Sequence, residues 1–311
     1  MVMATLHSRL KLRHLELFRN VCDLQTLRRA ADASSMTQPA ATKLVQEMEE
    51  MFGAPLFQRD RRGMKLTQQG TVVRRHIDIL LADIGNMRAE VDLFSMGATG
   101  RIRLGIIPSL ASALLAESIA RTLATHPEVR FSVQEGATTE LLASLARNDL
   151  DLCFGRVLDE STAARLRVIN VYTESFAIVC GTAHPLAHKR SVPWSQLALE
   201  HWVLPVAGTP LRELSDNLFT HHKVLRPAVS VESSSFHQMR HVIARSGLIG
   251  MVPRSIALQG RAAGELVLLK PDMGSDFAPI SLLLRKEFDQ PPLIEEFARV
   301  VCATARALKL R

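Results

Sequence analysis

The stretch "SSMTQPAATKLVQEMEE", Ser34 to Glu50, decides how the first part of the chain is read. Thr37 is a hydroxyl residue where a helix can begin, so its side chain is expected to cap that helix. Pro39 falls in the first turn, where its missing N–H removes no helical bond. Leu44, Val45 and Met48 then supply a stripe for a core. The first turn has no such stripe. Its outward set is Thr37, Gln38, Pro39, Ala41, Thr42 and Gln46, with Lys43 beside it. By itself this is either a capped surface helix or a helix that presents its start to a partner.

The neighbouring segments favour the partner. "RHLELFRNVCD" places Leu15, Phe18, Val21 and Cys22 at helical spacing, and "TLRRAADAS" reads as a second short helix. Ala30, Ala31 and Ala40 are small enough for two helices to cross closely. A short turn at Ser34–Ser35–Met36 completes a helix-turn-helix pattern. "PLFQRDRRGMKLT" follows, with Leu56, Phe57 and Leu66 at its ends and Arg59, Arg61, Arg62, Gly63 and Lys65 around its tip. Such a basic hairpin is a wing suited to a phosphate backbone. Gln pairs with an adenine edge, Thr bonds a base or phosphate, and Lys43 suits a phosphate. Residues 1–66 are therefore expected to be an all-α winged helix-turn-helix unit that binds double-stranded DNA.

"LTQQGTVVRRHIDILLADIGNMRAEVDLFSMGATG" comes next, with Thr67 placed to cap a long helix over 67–97. Val73, Ile77, Leu80, Ile84, Met87, Val91 and Phe94 step by fours and threes, as in a heptad seam. The seam predicts a linker helix that pairs two chains; packing on its own domain is the alternative. From residue 98 the texture changes to alternating strands and helices, which predicts an α/β domain with mostly parallel strands.

Composition sets the limits. The 311 residues carry a net charge of +7, in keeping with a polyanionic partner, and 47% are hydrophobic, enough for a sizeable core. Cys22, Cys153, Cys180 and Cys302 lie far apart, without metal-ligand or disulfide spacing. Charge arrives too early in the chain for a secretory signal, and no run of about 18 apolar residues predicts a membrane span, so a cytoplasmic protein is expected. No paired carboxylates, Gly-rich phosphate loop or nucleophile motif points to catalysis, and no cofactor or metal site is expected.

The segment Leu27–Gly70 resembles the N-terminal signature of the LysR-type transcriptional regulators. The matching positions are Ala30-Ala31, Thr37-Gln38-Pro39-Ala40, Met48-Glu49 with Phe52-Gly53, Pro55-Leu56-Phe57 with Arg59, and Leu66-Thr67 with Gly70. Arg28 departs from the usual Ser or Thr and is expected to add a phosphate contact. The resemblance implies a multidomain chain: the winged unit, the linker helix, then a two-lobed domain similar to periplasmic binding proteins over 98–311. Lobe I would take 101–173 and 277–311, and lobe II 174–276, with "ESFAIVC" and "PISLLLRKE" as the crossing strands. It also implies homodimers through 67–97, a homotetramer, an inverted-repeat operator, and RNA polymerase as a further partner.

A small-molecule effector, expected to be anionic, would bind between the lobes. Candidate contacts are Ser109, Thr138, Thr139, Leu204, Pro205, Thr209, Ser233 and Ser234, which follow predicted strands and suit helix N-termini. Arg156 and Arg240 are the candidate cations for its anion.

Overall fold

The computed structural model describes residues 9–60, 63–95, 100–157, 159–189, 191–270, 278–286 and 290–310. It divides into two compact units, Met1–Ala98 with Ala146–Asp149, and Thr99–Leu145 with Leu150–Arg311.

The first unit begins with helices α1 (Leu12–Leu24), α2 (Leu27–Ala33) and α3 (Gln38–Phe52). Leu17, Phe18, Val21, Ala30, Ala31, Ala41, Val45 and Met48 meet in one core. This settles the alanine pair differently from the sequence expectation. Ala41 is fully buried and Ala40 is exposed, so Ala41 allows the close crossing of α2 and α3 and leaves the outward set. The phase of α3 forces this, because Ala41 shares its face with Leu44, Val45 and Met48 at helical spacing. The α2–α3 turn uses a left-handed Ser35, φ 52°, and Asn20 pins it by donating to Ser34 Oγ at 2.8 Å.

Strands β1 (Phe57–Asp60) and β2 (Gly63–Leu66) form the wing, in antiparallel register from Phe57 opposite Leu66 to Asp60 opposite Gly63. Glu49 at the end of α3 accepts the N–H groups of Leu56 at 2.8 Å and Phe57 at 3.2 Å, which fixes the entry of the wing. Met64 N–H donates to the carbonyl of Gln25 at 2.8 Å, so the wing also returns to the end of α1. Gly63 has φ 130°, and a Cβ there would lie 2.3 Å from that carbonyl oxygen. Only glycine meets both demands.

Helix α4 (Gln68–Ser95) starts as expected: Thr67 Oγ1 accepts Gly70 N–H at 2.9 Å and donates to Pro55 O at 2.8 Å. The heptad seam divides in two. Val73 and Ile77 are buried in the winged-unit core, at 9% and 3% exposure. Leu80, Ile84, Met87 and Val91 are 46%, 40%, 61% and 59% exposed. The Phe94 side chain lies outside the described residues.

The second unit has two five-stranded sheets. Lobe I contains β3 (Gly100–Ile106), β4 (Val129–Glu135), β5 (Leu152–Gly155), β6 (Leu166–Tyr172) and β12 (Ile280–Arg285), in the order β4-β3-β5-β12-β6. Lobe II contains β7 (Phe176–Gly181), β8 (His201–Leu204), β9 (Ala228–Glu232), β10 (Ile249–Pro253) and β11 (Leu266–Leu268), in the order β11-β7-β10-β8-β9. Helices α5 (Ser112–Thr125), α6 (Thr138–Ala146), α7 (Glu160–Ala164) and α12 (Pro292–Ala307) belong to lobe I. Lobe II carries α8 (Trp194–Leu197), α9 (Pro210–His221), α10 (Phe236–Arg245) and α11 (Arg254–Ala262). Each sheet has its own core, around Phe154 and Phe297 in lobe I and Trp202 and Phe219 in lobe II.

Both sheets are mixed: in each, four of the five strands run the same way, as expected, and one is reversed. β3 pairs in parallel with β4 and β5, and β8 with β9 and β10. β7 and β12 run antiparallel to both of their neighbours. The reason is connectivity. β7 and β12 are the strands by which the chain enters each lobe from the other. The remaining strands point their C-terminal ends towards the junction of the lobes, so an entering strand must run the opposite way. β6 and β11, which the residue pattern did not reveal, are edge strands with short or weakly alternating apolar runs.

Candidate functional site

Two surfaces carry the candidate residues. On the first unit, Thr37, Gln38, Pro39 and Ala40 are all exposed at the start of α3. Thr37 occupies the N-cap, φ −77° and ψ 151°, but its side chain makes no capping hydrogen bond, contrary to expectation. The first turn of α3 also carries no acidic residue. Its N–H groups thus face outward with the positive end of the helix, as an anion requires. Thr42 is half-buried and donates to the carbonyl of Gln38 at 2.9 Å, which leaves its oxygen to accept. Lys43 and Gln46 are exposed.

Behind this face α3 is braced by α1. His14 is 1% exposed; its Nδ1 accepts Lys11 N–H at 2.9 Å, so Nε2 carries the proton and donates to Glu47 at 3.2 Å. That hydrogen bond, helped by Lys43, holds the Glu47 carboxyl below its usual range. Arg28 is exposed on α2, and Lys65 is exposed on β2. Arg61, Arg62 and the Arg59 side chain lie outside the described residues.

In the second unit, the candidate effector residues lie at or beyond strand ends that face the other lobe, but they differ in access. Ser109 is 2% exposed, in the turn after β3; it does not cap α5, whose N-cap is Ala111. Thr138 is half-buried and accepts Arg156 N–H at 3.4 Å, while Thr139 is exposed. The Leu204 side chain is corrected to a lobe II core residue at 1% exposure, and Pro205 is buried beside it. Thr209 caps α9, accepting Arg212 N–H at 3.3 Å and donating to Val206 O at 2.7 Å. Ser233 is half-buried and Ser234 exposed; the cap of α10 is Ser235, which the residue pattern did not single out. A cavity of about 230 Å³ spans both lobes, lined by Ile106, Ile107 and Leu110 from lobe I and Ser235, Phe236 and His237 from lobe II. None of the eight candidates lines it.

Both candidate cations are engaged. Arg240 pairs with Glu265 at 2.9 Å, so its guanidinium is committed within lobe II. Arg156 donates to the carbonyls of Ala278 and Glu174, the latter at 3.1 Å, and its Cζ lies 5.9 Å from the centre of the Phe176 ring. Beside it, Glu174 is 4% exposed and accepts from Ser255 N–H at 3.1 Å and Tyr172 Oη at 3.3 Å. Burial pushes the Glu174 carboxyl up, outweighing these hydrogen bonds and the charge of Arg156.

That direction has a measurable consequence. The folded chain keeps the Glu174 proton at pH values where the unfolded chain has released it. Its stabilising share is complete below the ordinary value of 4.5 and declines as pH rises through the folded value. The melting temperature of Glu174→Gln minus that of the wild type should therefore increase with pH from 4.5 upward. A flat or falling difference would show that the carboxyl is already ionised there.

The thiols are not poised for redox chemistry. Burial pushes Cys22 and Cys153 up to about 12 and Cys180 to about 11, far from the thiolate range at neutral pH. Among the described residues no group of three or more His, Cys, Asp or Glu could hold a metal, and no helix is long and apolar enough to cross a membrane.

Comparison with known proteins agrees with this geometry. Residues 12–71 match the model of bacterial regulatory helix-turn-helix proteins of the lysR family, and residues 95–306 match the LysR substrate binding domain. The HTH-type transcriptional regulator GbpR of Azospirillum brasilense is 27% identical over 303 residues, 97% of this chain and 87% of that protein. The regulator PcaQ of Agrobacterium fabrum is 25% identical over 288 residues, 92% of this chain and 91% of that one. Among solved structures, a full-length single-substitution variant of OxyR from Pseudomonas aeruginosa superposes with a TM-score of 0.63 at 21% identity, covering 96% of this chain and 97% of its own. CbnR bound to its target DNA gives 0.62 at 19% identity, covering 95% and 100%. The exposed helix start, the wing and the two-lobed domain thus coincide with both family models, and the chain belongs to the LysR family of DNA-binding transcriptional regulators with an effector-binding domain.

Proposed function

We propose that the exposed first turn of α3 enters the major groove of operator DNA. Thr37, Gln38, Pro39, Ala40, Thr42 and Gln46 would face the bases. Lys43, Arg28 and the wing residues Arg59, Arg61, Arg62 and Lys65 would hold phosphates. The observation that carries this reading is the contrast within one helix: residues 37–40 are exposed while Ala41, Leu44, Val45 and Met48 are buried. The exposed half of the α4 seam pairs two chains, and two such dimers form a homotetramer on an inverted repeat. RNA polymerase is then the machinery acted on, in the cytoplasm.

The effector sits where the strand ends of the two lobes face each other. Support for an anion comes from the start of α5, which follows such a strand end and has neither a side-chain cap nor an acidic residue in its first turn. Effector binding changes lobe closure and so the spacing of the DNA-binding heads. A ligand preferring one arrangement about 100-fold supplies about 2.7 kcal/mol per site for that change.

Footprinting on the intergenic DNA beside the gene tests the DNA reading. Gln38→Ala should weaken operator binding by about 1–3 kcal/mol and leave non-specific binding unchanged. Lys65→Ala should weaken all sequences alike and reduce the salt slope by about 1. Equal losses on operator and scrambled DNA for Gln38→Ala would remove it from base recognition. A thermal-shift screen of small carboxylates against small amines on the full chain tests the charge of the effector.

A further inference from the structure

The two segments that cross between the lobes are held by side chains that also hold the effector-facing loops. Tyr172 ends β6 at the first crossing and is 5% exposed. Its hydroxyl oxygen accepts Ala111 N–H, at the start of α5 and two residues after Ser109, at 2.8 Å. The same hydroxyl donates to Glu174 Oε2 at 3.3 Å, and Glu174 Oε1 accepts Ser255 N–H in the first turn of α11 at 3.1 Å. One side-chain chain thus runs from a helix start in lobe I to a helix start in lobe II. Arg156 makes a second link. Its backbone N–H donates to Thr138 Oγ1, and its guanidinium donates to the carbonyls of Glu174 at the first crossing and Ala278 at the second.

Two polar atoms in this cluster, Arg156 Nε and Ser255 Oγ, are buried without a hydrogen-bond partner among the described residues. A buried network with unmet capacity is sensitive to rearrangement, because each displaced member loses a bond that water does not replace. Apolar packing would have closed the same space without that sensitivity.

We infer that Tyr172, Glu174 and Arg156 are positioning residues that couple the effector-facing loops of lobe I to both crossings and to α11 of lobe II. Rotation of one lobe displaces Glu174 and Ala278. That displacement reaches Ala111 and Thr138, the neighbours of the effector contacts, through named hydrogen bonds. The converse also holds: a ligand that reorders the turn at Ser109 or the start of α6 changes the relative free energy of the two lobe arrangements. This inference rests on the effector site lying between the lobes.

Hydrogen exchange of the full-length protein, read by mass spectrometry without ligand, tests the coupling directly. Tyr172→Phe removes the acceptor for Ala111 and the donor to Glu174. Exchange should rise about tenfold at 109–114 in lobe I and also at 254–258 in lobe II, the loss expected for one buried hydrogen bond. Glu174→Ala should do the same, and Glu174→Gln, which keeps an oxygen for Ser255, should restore protection at 254–258. Ser281→Ala is the control. It removes a part-buried hydrogen bond to Asn170, 2.9 Å, within the lobe I sheet alone, and should leave 254–258 unchanged. If Tyr172→Phe loosens 109–114 and leaves 254–258 at wild-type protection, the coupling is overturned. The same holds if Ser281→Ala loosens 254–258 as much as Tyr172→Phe does. Failure of every small molecule to bind would strike the effector reading and not this exchange pattern.

Discussion

Leu80→Asp with Ile84→Asp should turn the protein into a monomer and lower its affinity for a two-half-site operator by about 10²–10⁴-fold. The expectation follows from the way α4 divides its apolar positions. Val73 and Ile77 complete the winged-unit core, so changing them would unfold the unit. Leu80 and Ile84 are 46% and 40% exposed, and Met87 and Val91 continue the same stripe along the helix. Aspartate at the first two positions leaves the buried Val73 and Ile77 in place and puts two charges in the seam proposed to pair, where like charges would meet across it. The loss in DNA binding comes from avidity: with one head at a time on the operator, the second half-site no longer acts at high effective concentration. Sedimentation velocity measures the mass and circular dichroism checks that the helix persists. A double variant that sediments as the wild type would place the subunit interface elsewhere.

Gly70→Ala should destabilise the winged unit by about 1–3 kcal/mol, although helix propensity by itself expects a gain. Gly70 lies in the first turn of α4, and a Cβ there would stand 2.0 Å from the carbonyl oxygen of Leu56 and 2.9 Å from Leu66 Cδ2. The contact is with backbone, which has no rotamer by which to yield. The Thr67 cap and its bond to Pro55 O hold the helix start against this loop, so relief means breaking the cap. Gly85 is the internal comparison. It lies in the same helix, and a Cβ added there would meet no atom within 4 Å. Gly85→Ala should therefore stabilise by about 0.5–1 kcal/mol. Each kcal/mol shifts the melting temperature of a unit this size by about 4–8 °C, so calorimetry should move the two variants in opposite directions from the wild type. Two shifts of the same sign would contradict the packing around Gly70.

Much of the DNA-facing unit was readable from residue types because its signals are local. The cap from Thr67 to Gly70 and the proline in the first turn of α3 act within a few residues of chain. The face of α3 was readable only in part. Ala40 and Ala41 are chemically identical neighbours, and only the phase of the packed helix tells which one meets α2. The effector domain was less legible for a similar reason. Ser109, Ser233 and Ser234 are all sound cap residues by type, yet Ala111 and Ser235 occupy the caps, because sheet register decides where each helix begins.

The residues by themselves determined the order of parts: a helix-turn-helix, a wing, a long apolar-striped helix, and alternating strands and helices. Periodicity and turn chemistry are short-range properties, so they survive in a one-dimensional string. Tertiary structure alone decided which half of the α4 stripe is core and which is exposed, and that β7 and β12 run against their neighbours. It also decided that Tyr172, Arg156 and Glu174, spread over 19 positions, meet at the crossing between lobes. These depend on where distant segments lie in space, and a carboxylate's partners there are set by the folded path of the chain rather than by its neighbours in sequence.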